Sequence, residues 1–219
     1  MKSVLVTGGT VRLGEAIAER LRAEGWRVIT SSHRADAGAD IVADLFEPMG
    51  AAKLYAAALQ ILGGMPPDAL VNNAALFTGD EAAIRAVGLE APKKLTMMMA
   101  GREVGVGAVV NVLDSVTLGA GMLRGADAGD PRRPYLDTKR ELQAFTLSSA
   151  MMFAATLRVN GVAPGPVLAP TEVHEKAGEM LLDRRPTADD VATAVSYLLS
   201  AEAVTGVIIP VDAGQHLLK

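Results

Sequence analysis

A doubly wound α/β fold with a mostly parallel sheet is predicted by three features of this 219-residue sequence. Short runs rich in Val and Ile recur about seven times, the runs are apolar on both faces, and the segments between them are long enough for crossover helices. Strands buried on both sides need helices on both faces of the sheet, which is the doubly wound arrangement. The strands are read at SVLVT (3–7), RVITS (27–31), DIVAD (40–44), ALVNN (69–73), AVVNVL (108–113), LRVNGVA (157–163) and VIIPV (207–211). Half the residues are hydrophobic, which at this length suits one core rather than two, so residues 1–219 are expected to form a single domain.

The connecting helices are read from their ends. Residues 12–24 carry Leu13, Ile17, Ala18 and Leu21 on one face and stop at Gly25. Thr187 followed by Asp190 marks a helix start before Val191, Ala194, Val195 and Leu198. The methionine runs Met97–Met99 and Met151–Met152 are read as gap-fillers of the core. Pro and Gly cluster at 63–67, 119–134 and 164–170, lengths that suit loops rather than linkers. The second and third clusters follow strands, so they should line the crevice beyond the strand C-termini.

Composition removes several function classes. There is no cysteine, which excludes disulfides and thiolate chemistry, and His33, His174 and His216 are too scattered for a zinc site to be expected. A net charge of −4 argues against a nucleic-acid partner. The N-terminus has no apolar leader and no uncharged run approaches the ~18 residues of a membrane span, so a cytoplasmic protein without a membrane partner is expected.

The first strand runs into Gly8, Gly9 and Gly14 and then into a helix, the context in which a glycine turn lets a pyrophosphate approach the backbone and meet unpaired helix N–H groups. One residue is out of place. Arg12, in TGGTVRLG, stands where such a loop ordinarily has glycine. About 20 residues further on, an NAD site places an acid on the ribose. Here the sequence reads Ser31-Ser32-His33-Arg34, with no carboxylate. Hydroxyls and a guanidinium suit a 2′-phosphate, which points to NADPH; an exposed basic turn is the competing reading of Arg34. Tyr135 and Lys139, in YLDTK, are four apart and share a helical face. An ammonium near a phenol lowers its reference pKa of about 10 and makes the tyrosine a usable acid and base.

Taken in order, these motifs resemble the short-chain dehydrogenase/reductase family over nearly the whole chain. TGGTVRLG resembles its TGxxxGxG loop, Asp44-Leu45 its adenine-side pair and Asn72-Asn73-Ala74 its NNA strand end. NVLD at 111–114 resembles its NxSS strand end, YLDTK its YxxxK, RVNGVAPG at 158–165 its nicotinamide-side strand and loop, and TGVIIPVDAG at 205–214 its last strand. The resemblance implies a Rossmann-like domain that binds NADPH and a small-molecule substrate and assembles as a homodimer or homotetramer around the YxxxK helix. It implies cofactor contacts from Gly8, Thr10, Arg12 and Leu13, from Ser32, His33 and Arg34, and from Asp44 and Leu45. Asn72, Ala74, Tyr135, Lys139, Pro164, Gly165 and Val167 complete the implied set. Tyr135 would be the acid/base, Lys139 would bind the ribose and tune Tyr135, and no metal would be needed.

Arg12 for the middle glycine and Asp114 for the catalytic serine resemble one branch, the pteridine reductases and dihydromonapterin reductases. Phe77 falls where that branch has an aromatic that sandwiches the pterin. The implied substrate site is Arg12, Phe77, Asp114 and Tyr135, and the implied reaction is NADPH-dependent reduction of a dihydropterin or dihydrofolate. Plainer readings stay open. Arg12 could bind phosphate alone, Phe77 could be core, and Asp114 could cap a loop with Ser115 as the usual serine. A ketone or 3-oxoacyl reductase is the alternative enzyme, and a non-catalytic NADPH sensor the alternative class. Gly88 departs from the family's asparagine, whose carbonyl holds a proton-relay water. The segment between Asp114 and Tyr135 is long, and the lid after Pro164, residues 171–179 with His174, is short.

Overall fold

The computed structural model describes residues 1–103, 105–118, 130–167 and 179–218. Seven strands form one parallel sheet: β1 (Ser3–Thr7), β2 (Arg27–Ser32), β3 (Ile41–Val42), β4 (Ala69–Asn72), β5 (Gly107–Val112), β6 (Leu157–Pro164) and β7 (Ile208–Val211). Their order is β3-β2-β1-β4-β5-β6-β7. The chain builds outward from β1 to β3, then crosses to the other side of β1 for β4, leaving a switch point between β1 and β4.

Alternation along each strand feeds two cores. Val4 and Val6 of β1 join Val71, Val110 and Val162 under α1 (Arg12–Ala23) and α6 (Ala188–Ser200). Leu5 faces the other way, with Leu70, Val109 and Val159, toward α2 (Gly50–Ile61), α4 (Ala91–Ala100) and α5 (Arg133–Met152). Period-2 side chains that are apolar on both faces thus find a helix layer on each side. The helix faces read from sequence point inward: Ile17, Ala18 and Leu21 of α1 and Val191, Val195 and Leu198 of α6 are buried.

All seven expected strands are present, with shifted ends. β3 keeps only two of the five residues of DIVAD, and the flanking aspartates are engaged otherwise, Asp40 with β2 and Asp44 in the turn that follows. Asp40 accepts bonds from the Thr30 backbone N–H (2.7 Å) and hydroxyl (2.8 Å), and Asp44 accepts the Phe46 N–H at 2.9 Å. Residues 119–129 of the second expected loop lie outside the described residues, and its last two residues already belong to α5. Pro134 fits there because a first-turn residue needs no N–H partner. The methionine reading is corrected. Met99 is buried, but Met97, Met151 and Met152 are exposed, the last two at the C-terminal end of α5, where no element among the described residues covers them.

Two polar links, one buried and one half-buried, tie the layers together. Asn72 Nδ2 donates to Asn111 Oδ1 (2.8 Å), Asn111 Nδ2 to Thr146 Oγ1 (2.9 Å), and Thr146 Oγ1 to the Leu142 carbonyl (2.7 Å), joining β4, β5 and α5. Arg158 of β6 caps α6, its guanidinium donating to the carbonyls of Leu198 (2.8 Å), Leu199 (2.7 Å) and Val204 (3.2 Å). Among the described residues no helix is long and apolar enough to cross a membrane.

Candidate active site

The turn after β1 is held by close approach. Gly8 has φ 61°, and a Cβ on Gly14 would lie 2.0 Å from the Gly8 carbonyl oxygen, so neither position admits a side chain without rearrangement. Asn73 clamps the turn by donating from Nδ2 to the carbonyls of Thr7 (3.0 Å) and Gly8 (3.1 Å). Thr7 Oγ1 returns the contact, accepting the N–H groups of Asn73 and Ala74, each at 3.0 Å. Arg12, at the first position of α1, has φ 54°. The backbone there asks for glycine; the sequence supplies a strained arginine.

A cleft of about 570 Å³ opens over this turn. Gly8, Thr10, Arg12 and Leu13 form one wall, Ser32, His33 and Arg34 the rim above β2, and Asp44, Leu45 and Ala74 the remaining sides. Ten of the expected cofactor residues therefore share one cavity. The Asn72 side chain is buried in the polar link to Asn111, and the neighbouring Asn73 lines the cleft. The glycine cradle fits a dinucleotide: the absence of side chains at Gly8 and Gly14 lets the turn fold tightly against Asn73 and Ala74, and the cleft over it opens at the start of α1, where helix N–H groups can meet a pyrophosphate.

Beyond the cleft, the ends of β5 and β6 meet α5. Asp114 caps the short turn Ser115–Thr117, accepting the Val116 N–H on Oδ1 at 2.9 Å and leaving Oδ2 for the Tyr135 hydroxyl at 3.0 Å. Phe77 stands edge-on to Tyr135, with ring centroids 4.9 Å apart at 62°. Ser115 points elsewhere. Its hydroxyl is buried with no hydrogen-bond partner among the described residues, on the side of Gly165, where a Cβ would come within 3.5 Å of it.

Lys139 is fully enclosed, donating from Nζ to the Val112 carbonyl at 2.6 Å and lying 5.7 Å from the Tyr135 ring centroid. Burial pulls its pKa down to about 8, against the opposing charge of Asp114. Gly88 sits in a π-helical turn, Ala86–Glu90, between α3 (Glu81–Arg85) and α4. A Cβ there would lie 2.9 Å from Thr138 Cγ2, next to Lys139 in α5. Such turns recur at functional sites.

Pro164 ends β6, and Gly165 packs so closely on Asp212 that a Cβ would fall 2.6 Å from the Asp212 Cβ. Val167 N–H donates to the Gly165 carbonyl at 2.7 Å. His216, unassigned by the sequence, is held through Nδ1 on the buried Asp212 carboxylate at 2.9 and 3.0 Å. His174 and residues 171–178 of the expected lid lie outside the described residues.

A parallel doubly wound sheet with a glycine cradle at its switch point and a Tyr–Lys pair at the same strand ends is the framework of a dinucleotide-dependent oxidoreductase. The chain belongs to the short-chain dehydrogenase/reductase family: residues 11–216 match the family model described as enoyl-(acyl carrier protein) reductase. It is 30% identical to the putative ketoacyl reductase 2 of the granaticin polyketide synthase of Streptomyces violaceoruber, over 98% of this chain and 96% of that one. It is 27% identical to pteridine reductase 1 of Leishmania tarentolae, over 98% and 96% of the two chains. Among solved structures it resembles FolM alternative dihydrofolate reductase 1 of Brucella canis complexed with NADP, with TM-score 0.81, 31% identity and coverage of 98% and 94%.

Proposed function

We propose that the protein is an NADPH-dependent reductase that delivers a hydride to a pterin of the dihydropterin or dihydrofolate type, with Tyr135 as proton donor. The observation that carries this reading is the hydrogen bond from the Tyr135 hydroxyl to Asp114 Oδ2 at 3.0 Å. A carboxylate and a phenol in contact resist ionising together, so the pair holds a proton between them and passes it on as a unit. Reduction of a C=N bond needs that proton at nitrogen; at the position after Asp114 the Ser115 hydroxyl is buried without a hydrogen-bond partner among the described residues, so the group beside Tyr135 is an acid rather than the serine that would help hold a ketone oxygen. The kinship with Leishmania pteridine reductase 1 and Brucella FolM supports the same substrate class.

NADPH, when bound, supplies the hydride. The cleft residues orient it: the Gly8 and Gly14 backbone for the pyrophosphate, and Ser32, His33 and Arg34 for the 2′-phosphate. Phe77 offers a flat apolar surface to a flat heterocycle, and the planar guanidinium of Arg12 serves both phosphate and ring. Lys139, anchored on Val112, fixes the end of α5 that carries Tyr135. Assembly as a homodimer or homotetramer through α4 and α5 is part of the proposal, because Met97, Leu147 and Met151 are exposed apolar residues on those helices.

The test is oxidation of NADPH followed by absorbance, with dihydropterins and dihydrofolate set against a panel of ketones and 3-oxoacyl thioesters, and NADH as the cofactor control. Pterin turnover is expected, and Tyr135→Phe should reduce it by about 10²-fold or more while NADPH still binds. Turnover of ketones alone would replace this reading with the carbonyl reductase that the granaticin relative favours. A chain that binds NADPH and turns over neither class would be a sensor.

A further inference from the structure

Arg34 already holds an anion of its own chain. Its Nε donates to Asp36 Oδ1 at 3.0 Å and its Nη2 to Asp36 Oδ2 at 2.8 Å, the two-point geometry in which a guanidinium takes a phosphate. Local structure sets the carboxylate there. Ser32 Oγ accepts the Arg34 N–H at 3.1 Å, and the single turn Ala35–Ala37, closed by Gly38 at φ 66°, folds Asp36 back on the guanidinium. Arg34 lies on the rim of the cleft beside Ser32 and His33. The acid missing from Ser31–Arg34 thus stands two residues later, on the cation rather than on a ribose.

We propose that Asp36 tempers the cofactor preference, its carboxylate competing with the 2′-phosphate of NADPH for the Arg34 guanidinium and so narrowing discrimination against NADH. This rests on the cofactor reading above. A phosphate monoester, with a charge near −2, outbids one carboxylate, but it must first displace Asp36 and then bind beside its charge. Arg34 and Asp36 are 60% and 71% exposed, so the pair itself is weak and the exchange is shallow rather than blocked. NADH has no group at this position. Its affinity is therefore independent of Asp36.

Calorimetric titration of the full chain with NADPH and with NADH, in the wild type, Asp36→Asn, Arg34→Ala and the double variant, tests this. Asparagine keeps the size and turn chemistry of position 36 and removes the charge. Asp36→Asn is expected to tighten NADPH about fivefold and leave NADH unchanged, and the gain should vanish when Arg34 is also replaced. If Arg34→Ala weakens NADPH but Asp36→Asn leaves the NADPH-to-NADH ratio where it was, the proposal falls and the cofactor reading stands. If Arg34→Ala leaves NADPH binding at the wild-type level, or neither nucleotide binds, both fall together.

Discussion

Arg12 shows how much one residue can reveal. A left-handed backbone costs a residue with a Cβ about 1 kcal/mol that glycine avoids, so an arginine held at φ 54° on a cleft wall points to a use for its side chain. Arg12→Gly is expected to raise the unfolding free energy by about 1 kcal/mol, and Tm by roughly 2–4 °C, while pterin KM rises at least about tenfold. Thermal melts and steady-state kinetics on one preparation decide it: an unchanged or lower Tm would mean the backbone is relaxed. Lys139 supplies the pH counterpart. Its pKa falls from 10.5 to about 8 on folding. Below pH 8 it is charged in both states and the full cost of burying the charge is present. Between about 8 and 10.5 the unfolded chain binds the extra proton, so stability rises with pH. Lys139→Met should therefore be more stable than wild type at pH 7, by on the order of 2 kcal/mol after the lost bond to Val112 is allowed for, and the gap should close toward pH 10. Urea titrations at the two pH values measure it. Tyr135, Lys139 and Asp114 were legible because motif spacing fixes them relative to one helix and one strand end. That Asn73 rather than Asn72 lines the cleft was not legible, because strand side chains alternate: the Asn72 side chain bonds Asn111, and the residue beyond the strand faces the cleft. The Asp36 contact was hidden because a two-residue return depends on a turn that no pattern announces.

Helix starts and strand runs carried most of the element-level information. Thr187 and Asp190 form a complete capping box, the Thr187 hydroxyl accepting the Asp190 N–H and the Asp190 carboxylate accepting the Thr187 N–H at 2.7 Å. Arg184 adds a two-point contact at 2.8 and 2.9 Å to the same carboxylate and, with Thr187, holds it well below the usual aspartate range. Thr187→Ala should cost about 1 kcal/mol in chemical denaturation, and a loss near zero would show that Arg184 alone holds this end. The π-helical turn was not legible, since the shift of one residue that it makes in the apolar stripe falls within a five-residue stretch too short to show a period. Within it Gly88 faces the Thr138 methyl, which a Cβ would approach to 2.9 Å. Gly88→Ala is expected to destabilise by 1 kcal/mol or more. Adding Thr138→Ser, which removes that methyl, should recover most of the loss, and additive effects in the double-mutant cycle would refute the coupling. Misplaced methionines have a simpler reason, because an apolar residue on a helix does not say whether its neighbour belongs to the same chain.

At the scale of the whole molecule, strand count followed from the sequence while strand order did not, because periodicity carries no record of which runs become neighbours. The exposed apolar residues of α4 and α5 belong to the same scale. Sedimentation velocity is expected to find a dimer or tetramer, and Leu147→Glu with Met151→Glu should shift it to monomer; a monomeric wild type would remove assembly from the proposal. The Asn73 clamp reaches furthest of all. Its amide bonds two carbonyls of the turn after β1 from a strand end more than sixty positions later, so the turn takes its binding shape when β1 and β4 pair. Conformational entropy that a floppy phosphate loop would lose on meeting its ligand has already been lost in folding. Cofactor capture should accordingly follow a single exponential whose rate rises linearly with nucleotide concentration, without the plateau that a loop-ordering step imposes.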